Sequence, residues 1–408
     1  MADLRLRELA PASVVAMDDD DATALTAGGV LTGHRVAPGR WEVAPGTKVG
    51  VARAGDTTVW IRPKVPIGRI LFLMGYARHP GWRIDDVDLE TVDDLLPALA
   101  EAFATQAEAA VEQGLLQGYV EVDDQLTVLR GRLRDQEQLR RRFGIAVPLL
   151  VRYDDHTVDI TENRLLRSAT DLLLRVPGVA PKVRVRLRGL RQILGEVTPL
   201  ARGVRLPPWQ PTRLNQRYHV ALWLAELLLR DNALDQAPGA VRISGFLVDM
   251  AKVFEDFLTA TLSRSLESRG YRCRPQDPHD LDVAGRIGMK PDLVAYRGGR
   301  PAVVVDAKYK AEKPAGFPNA DVYQLLAYCT ALGLAEGHLV YAKGNEDTVT
   351  HEIHNTATTI HAHTLDLSTA PAALLAQIDQ LAGSLVPGRA QNDLVSASGD
   401  LASIAGAL

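Results

Sequence analysis

The stretch MKPDLVAYRGGRPAVVVDAKYK, residues 289–310, decides the fold of the C-terminal part of the chain. Two apolar segments flank a glycine pair at 298–299, a pattern that predicts a β-hairpin. The strand period of two places Asp306 and Lys308 on one face, and the hairpin brings Asp292 opposite the neighbourhood of Asp306. We therefore expect two carboxylates and one ammonium group to meet at one end of a sheet.

This combination of side chains suits phosphodiester hydrolysis. Asp292 and Asp306 offer hard oxygen ligands for Mg²⁺, or for Mn²⁺, and the carbonyl of Ala307 adds another. A bound metal lowers the pKa of a water molecule and stabilises charge on the scissile phosphate. Lys308 positions or deprotonates that water, or stabilises the developing negative charge. Taken alone, the spacing more often marks a surface ion pair, so the neighbouring residues matter.

Glu255 lies on a helix predicted before the hairpin, over Phe246–Arg269. It falls beside Leu262 and Leu266, at the edge of the helix's apolar stripe, from where a carboxylate can reach a metal. The alternative role is an exposed ion pair with Lys252. Glu255 is thus a further candidate metal ligand.

Two features around the second strand of the hairpin add to the candidate site. The apolar run Val303–Val305 predicts a central strand that is buried on both faces. Gln324 and Tyr328, spaced i, i+4, share one face of the next predicted helix and can point back at the site. Gln324 would orient water or substrate there, whereas an ordinary amphipathic helix is the alternative.

Outward from the hairpin, the pattern continues as helix, three strands, helix, strand. After the long helix we predict the strands Tyr271–Arg274, Asp292–Tyr296 and Ala302–Asp306, the helix Asp321–Leu332 and the strand His338–Ala342. This order predicts an α/β core in which helices flank a mixed sheet.

The whole chain is predicted to be an α/β, or multidomain α+β, protein. Residues 1–115, with alternating apolar stretches between Gly and Pro, are predicted to form a β-rich docking region. Residues 116–213 are predicted to form a hairpin turning at 123–124 and then a basic helical connector. The hydrolytic domain is assigned to 214–386, and 387–408 to a flexible tail.

The formal net charge of −4 conceals a strong asymmetry. Residues 129–217 contain 18 Arg and one Lys against eight acidic residues, a net charge of +11, so the rest carries −15. This basic middle is expected to face DNA phosphates or an acidic partner surface, unless the arginines are simply solvated. We favour a partner for the LRGR segment; the candidate contact residues are Arg130, Arg132, Arg140, Arg141 and Arg142.

Composition excludes several classes of protein. With 46% apolar residues, 24% charged residues and two cysteines, the chain is neither disordered nor built around disulfides. No apolar run reaches the roughly 18 residues of a membrane span, and the first residues lack a signal peptide's apolar core. We therefore expect a cytoplasmic protein without a membrane partner. No GxxxxGK[ST] motif occurs, so a nucleotide-driven motor would have to be another chain.

A group of histidines near the C-terminus allows two interpretations. His361 and His363 are spaced to share a strand face, with His351 and His354 nearby. A metal site is one interpretation, although no Cys or carboxylate joins them at zinc-site spacing. Simple alternation on an edge strand is the other.

At the candidate site the chain resembles the PD-(D/E)xK nuclease superfamily. The motifs that carry this resemblance are Glu255, Pro291-Asp292, Asp306-Ala307-Lys308 and Gln324 with Tyr328. They occur in the order of that superfamily's αβββαβ core, and the QxxxY spacing is typical of its RecB-like branch.

Segments outside that core resemble the McrC family. They are VGVARAGDTTVWIRPKVPIGRILFLMGYA (49–77), GLLQGYVEVDDQLTVLRGRL (114–133) and YDDHTVDITENRLLRSA (153–169). The resemblance implies the endonuclease subunit of a McrBC modification-dependent restriction system. Such a subunit docks on a hexameric ring of the AAA+ GTPase McrB, stimulates NTP hydrolysis and cleaves double-stranded DNA bearing modified cytosine. In that family McrB carries the domain that recognises the modified base.

Two other functions remain open at this point. One is a RecB-like repair nuclease that works without a partner. The other is a non-catalytic subunit that assembles and activates an AAA+ partner through a vestigial nuclease fold, although the intact Asp292, Asp306 and Lys308 count against it.

Overall fold

The computed structural model describes residues 2–78, 94–141, 147–201, 205–230, 233–236, 243–309, 319–342 and 349–386. The helices are α1 (Asp19–Ala27), α2 (Ile67–Arg78), α3 (Leu95–Val111), α4 (Asp135–Arg141), α5 (Thr161–Arg175), α6 (Pro181–Ile193), α7 (His219–Leu229), α8 (Met250–Glu267), α9 (Asn319–Leu332) and α10 (Pro371–Ser384). The strands are β1 (Ala2–Arg7), β2 (Ser13–Ala16), β3 (Leu31–Ala37), β4 (Arg40–Pro45), β5 (Lys48–Ala54), β6 (Thr57–Arg62), β7 (Gly118–Leu126), β8 (Arg132–Leu133), β9 (Leu149–Thr157), β10 (Ala233–Gln236), β11 (Ile243–Asp249), β12 (Arg272–Pro275), β13 (His279–Asp280), β14 (Gly288–Met289), β15 (Leu293–Arg297), β16 (Arg300–Lys308), β17 (Glu336–Ala342), β18 (Val349–Glu352) and β19 (Thr359–Leu365). The predicted tail, 387–408, lies outside the described residues.

A six-stranded mixed sheet forms the core of the C-terminal part, in the order β12-β15-β16-β17-β19-β18. The hairpin strands β15 and β16 are antiparallel, whereas β16, β17 and β19 run parallel. Val303 and Val305 pack into the cluster that contains α8, while Val304 packs on the opposite side with Leu325 and Cys329 of α9. The predicted mixed sheet and its central strand, buried on both faces, are therefore confirmed.

The long helix begins later than predicted. Residues 246–249 belong to strand β11, which pairs with β5 antiparallel, and α8 begins at Met250. Asp249 caps the helix because its Oδ1 accepts a hydrogen bond from the backbone N–H of Ala251 at 3.0 Å. At Gly50, which lies opposite Leu247, a Cβ would fall 2.2 Å from the carbonyl oxygen of Phe246. The strand pairing thus outweighs the helical apolar pattern of this segment.

A second sheet joins the N-terminal region to the segment that precedes α8. Its order is β1-β6-β5-β11-β10, so strands from the first 62 residues pair with a strand that leads directly into α8. This sheet therefore takes strands from both sides of the predicted boundary at 213/214.

The hairpin predicted at residues 123–124 is wrong. Residues 118–126 form one continuous strand, β7, whose partner is β9. Asp123 sits opposite Arg152, and the guanidinium donates to both carboxylate oxygens at 2.7 and 3.0 Å. A cross-strand ion pair thus accommodates Asp123, and the Tyr153 hydroxyl donates to Asp124 at 3.3 Å, although the two aspartates resemble a turn in the sequence alone.

Arginine-rich helices pack beside α3 and α7. The segment at Pro181–Ile193, where strand-like and helix-like spacing compete, forms the predicted helix α6. Its buried residues are Val183, Leu187 and Leu190.

Within the described residues, no helix has both the length and the apolar character needed to cross a membrane.

Candidate active site

Asp292, Asp306 and Lys308 meet at one end of the mixed sheet. Asp292 immediately precedes β15, and its Oδ2 accepts a hydrogen bond from the backbone N–H of Ala307 at 2.8 Å. On β16, the Nζ of Lys308 lies 2.5 Å from Oδ2 of Asp306. The structure thus brings together the two carboxylates and the ammonium group that the sequence pattern places here.

The two aspartates form a poorly solvated acidic pair. Asp306 is only 2% exposed. Burial raises the pKa of Asp292 to about 7, and repulsion from Asp306 adds to this effect, while the Ala307 N–H opposes it. Burial also raises the pKa of Asp306 against the opposing effect of Lys308. Holding both groups ionised therefore requires added positive charge at this position.

Lys308 is a hydrogen-bond donor rather than a base in this arrangement. Burial is the largest single effect and acts to lower its pKa, but Asp306, Asp321 and Asp292 together outweigh it, so the pKa is raised. Its Nζ also donates to Oε1 of Gln324 at 2.9 Å. A protonated amine supplies positive charge and donors near a phosphate, and it cannot remove a proton from water.

The QxxxY element holds that lysine from α9. Nε2 of Gln324 donates to the hydroxyl of Tyr328 at 2.6 Å, which leaves its Oε1 facing Lys308. Tyr328 is buried, and its hydroxyl lies 3.5 Å from the carbonyl oxygen of Lys290, just before Asp292. Gln324 therefore points at the site, and its direct contact is with the ammonium group.

Glu255 reaches the site through a residue that sequence reasoning missed, Gln276. The Nε2 of Gln276 donates to Oε1 of Glu255 at 2.6 Å and to Oδ1 of Asp292 at 2.8 Å. Glu255 also accepts a hydrogen bond from Lys252 at 3.0 Å, so the alternative pairing coexists with the predicted approach. Gln276 follows β12 with a positive φ of 52°, and no motif marks it in the sequence.

Asp321 is a second missed residue. It is buried near the start of α9, accepts a hydrogen bond from Tyr341 at 3.0 Å, and contributes to the raised pKa of Asp306. The sequence marks it only as the start of a predicted helix. Its carboxylate adds to the negative charge that surrounds the candidate site.

The acidic pair fits a Mg²⁺ ion. Mg²⁺ is commonly bound by one or two carboxylates, while water and substrate phosphates complete its shell. The buried Asp306 and the half-buried Asp292, both with a raised pKa, match that need. Among the described residues, no group of three or more His, Cys, Asp and Glu side chains is arranged to hold a metal ion.

The histidines form a separate cluster on the other face of the sheet. His361 and His363 share a face of β19, and Nδ1 of the buried His338 lies 3.2 Å from Nε2 of His363. Burial and the neighbouring rings lower the pKa of His338 to about 3 and that of His363 to about 4. Neutral, mutually bonded imidazoles are consistent with alternation along a strand, but β19 lies between β17 and β18, so the predicted edge position is wrong.

Many arginines of the basic middle are bonded within the fold. Arg186 contacts Glu101 and Glu108, while Arg164 forms two hydrogen bonds with Asp159. Part of the excess charge is therefore offset by carboxylates outside residues 129–217, such as Glu101 and Glu108.

The candidate contact arginines differ in their surroundings. Arg130 stacks on Tyr153 with its guanidinium 3.9 Å from the ring centroid, and it pairs with Asp155 at 2.8 Å. Arg132 and Arg140 are exposed. The side chain of Arg141 and the whole of Arg142 lie outside the described residues.

A similar fold is found among solved structures. A chain in a half-complex of Thermococcus gammatolerans McrB AAA+ hexamers with bound McrC matches with a TM-score of 0.60 and 19% identity, over 94% of this chain and 100% of that one. A chain of the T. gammatolerans McrBC complex matches with a TM-score of 0.42 and 22% identity, over 65% and 88% of the two chains. No curated protein matches the chain.

A family model adds sequence-level support. The model for the McrBC 5-methylcytosine restriction system component matches residues 43–342, well over half of the chain. This agrees with the resemblance carried by the motifs. The chain therefore belongs to the McrBC family of 5-methylcytosine restriction system components.

Proposed function

We propose that the chain is the Mg²⁺-dependent DNA endonuclease subunit of a McrBC-like restriction system that acts in the cytoplasm against modified DNA. The observation that carries this proposal is the convergence of Asp292, Asp306 and Lys308 at the end of the mixed sheet. The αβββαβ order of α8, the three strands, α9 and β17 supports a PD-(D/E)xK core.

In the proposed reaction, each side chain has a distinct task. Asp292, Asp306 and the carbonyl of Ala307 would hold Mg²⁺, and Glu255 is a further candidate ligand. The ion, when bound, activates water and stabilises charge on the phosphate. Lys308 donates to the phosphate oxygens, and Gln324 orients the lysine from α9. Gln276 holds Glu255 and Asp292 at a fixed separation.

The proposed partner is a hexameric AAA+ GTPase of the McrB type. Two observations support this. The sequence contains no phosphate-binding GxxxxGK[ST] loop of its own. The fold also matches a chain solved among McrB hexamers with bound McrC. The proposed substrate is double-stranded DNA with modified cytosine, selected by the partner.

Plasmid cleavage tests the function directly. Methylated and unmethylated plasmids are incubated with Mg²⁺, with and without the AAA+ partner and its nucleotide. We expect cleavage only of methylated DNA, and only with partner, nucleotide and Mg²⁺ together. Equal cleavage without partner and nucleotide would instead favour the RecB-like repair nuclease.

Gln276 provides a prediction about site geometry. Gln276→Ala should lower the cleavage rate by about tenfold, because Asp292 and Glu255 lose the donor between them. Gln276→Glu should lower it further, since it places a third carboxylate beside two others. Single-turnover cleavage measures both effects. The control is Gln192→Ala, at an exposed position of α6. An unchanged cleavage rate in Gln276→Glu would contradict the proposed role of Gln276.

The LRGR segment provides a prediction about the partner. Arg132→Ala should reduce stimulation of the partner's NTP hydrolysis severalfold while leaving DNA affinity unchanged. The exposed Arg205 in the same basic region is the matched control. A reduced slope of DNA affinity against salt concentration in Arg132→Ala would show a phosphate contact instead.

A further inference from the structure

The residue after Lys308 is tied to the beginning of the chain. Tyr309 is 5% exposed, and its hydroxyl donates a hydrogen bond to Oε1 of Glu8 at 2.5 Å. Glu8 follows β1 and is itself 4% exposed. The Nζ of Lys64, which follows β6, lies 4.5 Å from the centroid of the Tyr309 ring. Two adjacent parallel strands of the N-terminal sheet thus end at one tyrosine.

Burying the Glu8 carboxylate in its contact with Tyr309 has a cost in free energy. Burial raises the pKa of Glu8, against the stabilising effects of Tyr309 and of the Lys64 backbone and charge. Its Oε2 has no hydrogen-bond partner within the described part of the chain. A buried carboxylate with incomplete partners is poor at stabilising a fold compared with an apolar contact. Its directional bond does, however, fix the hydroxyl of Tyr309 in one position.

The position of Tyr309 matters because of its neighbour. β16 ends at Lys308, whose Nζ contacts Asp306 and Gln324, while the next residue, Tyr309, contacts Glu8 beside the N-terminal sheet. Lys308 must hold its Nζ in contact with two groups at the end of a strand. Anchoring the next residue restrains the backbone that carries this ammonium group.

We propose that Glu8 and Lys64 are positioning residues of the candidate active site, acting on Lys308 through Tyr309. The proposal rests on the proposed nuclease function for its catalytic consequence. On this proposal the Ile-x-Pro-Lys segment at 61–64 helps to position Lys308 within the same chain. The N-terminal sheet is then part of the apparatus that shapes the nuclease centre.

A second link joins the same sheet to the other side of the site. The Oγ1 of Thr47, just before β5, donates to Oδ1 of Asp249 at 2.8 Å, and its carbonyl accepts from the N–H of Met250 at 2.9 Å. These residues begin α8, which carries Glu255. Strands of one sheet therefore hold both Glu255 and Lys308, so a shift of that sheet would displace the two together.

Tyr309→Phe in the full chain, assayed with the AAA+ partner, tests the proposal. We expect the maximal cleavage rate to fall by about tenfold or more, with half-saturating DNA concentration and NTPase stimulation unchanged. Tyr271→Phe is the matched control, because Tyr271 is also 5% exposed and its hydroxyl has no partner among the described residues. Glu8→Gln, which keeps an acceptor, should retain activity that Glu8→Ala loses.

A readout independent of cleavage separates this proposal from the proposed function. The lysine side chains are labelled by reductive ¹³C-methylation and observed by NMR, and the resonance of Lys308 is identified by its loss in Lys308→Arg. This resonance should shift in Tyr309→Phe and stay in place in Tyr271→Phe. An unchanged resonance in Tyr309→Phe overturns the positioning role whatever the activity. A cleavage rate within twofold of the wild type also overturns it. Absence of cleavage in the wild type, with the resonance shifted, would overturn only the nuclease function.

Discussion

Asp306→Asn is expected to lower DNA cleavage by about a thousandfold, because it removes a charge that would hold Mg²⁺ and leaves Lys308 without its ion-pair partner. The change keeps the size of the side chain, so the buried position stays filled. Loss of several kcal/mol of charge stabilisation at a reacting phosphate corresponds to an effect of this size. Plasmid cleavage with partner, nucleotide and Mg²⁺ measures it.

Two controls sharpen this experiment. Asp256→Asn removes an exposed carboxylate on α8 that pairs with Lys252, and it should cleave at the wild-type rate. Stimulation of the partner's NTP hydrolysis should persist in Asp306→Asn, because Asp306 is buried and is not among the arginines proposed to contact the partner. Full nicking activity in Asp306→Asn would refute the site assignment. A wild type that stimulates NTP hydrolysis and never cleaves would favour the non-catalytic subunit.

The second large effect concerns stability in the absence of metal. The pKa of Asp292 is raised to about 7 in the folded chain, so between its unfolded value near 4 and pH 7 the folded state binds more protons. Stability contributed by this group is therefore present at low pH and is lost as the pH rises through 7. From about pH 5 to about pH 8, the free energy of unfolding should fall by about 2 kcal/mol more in the wild type than in Asp292→Asn.

Adding Mg²⁺ should reverse this loss. At about pH 8 Asp292 is mostly ionised, so the ion is expected to bind the folded state and to raise the free energy of unfolding of the wild type with the logarithm of its concentration. The effect should be much smaller in Asp292→Asn and at about pH 5, where Asp292 is protonated. Denaturant titrations in EDTA and in Mg²⁺ measure it. Identical pH profiles for the wild type and Asp292→Asn would contradict the raised pKa.

The central hairpin could be predicted because its signals are local. A glycine turn between two apolar segments specifies the pairing of β15 with β16, and the strand period then fixes the face of Asp306 and Lys308. The QxxxY spacing likewise belongs to one helix. For these residues, the distance along the sequence directly determines which side chains can meet.

Other features depend on partners that are distant in the sequence. Asp123 resembles a turn residue until Arg152 is placed opposite it, and Phe246 fits a helical stripe until β5 pairs with its strand. Gln276 belongs to no motif, because its role comes from the turn after β12 that aims its amide at two carboxylates. The bond between Tyr309 and Glu8 spans 301 positions, and no sequence period reports such a contact.

The pairing of β5 with β11 has a consequence for how this chain can change over evolutionary time. A recombination event at residues 213/214 would combine β5 from one relative with β11 from another. These strands must fit closely, because the approach of β11 at Gly50 leaves no room for a side chain. Hybrids of two relatives exchanged at that linker should therefore fail to fold more often than hybrids that inherit 1–62 and 243–309 from one parent. Residues 1–62 and 243–309 are therefore expected to be inherited together, although the predicted boundary at 213/214 lies between them.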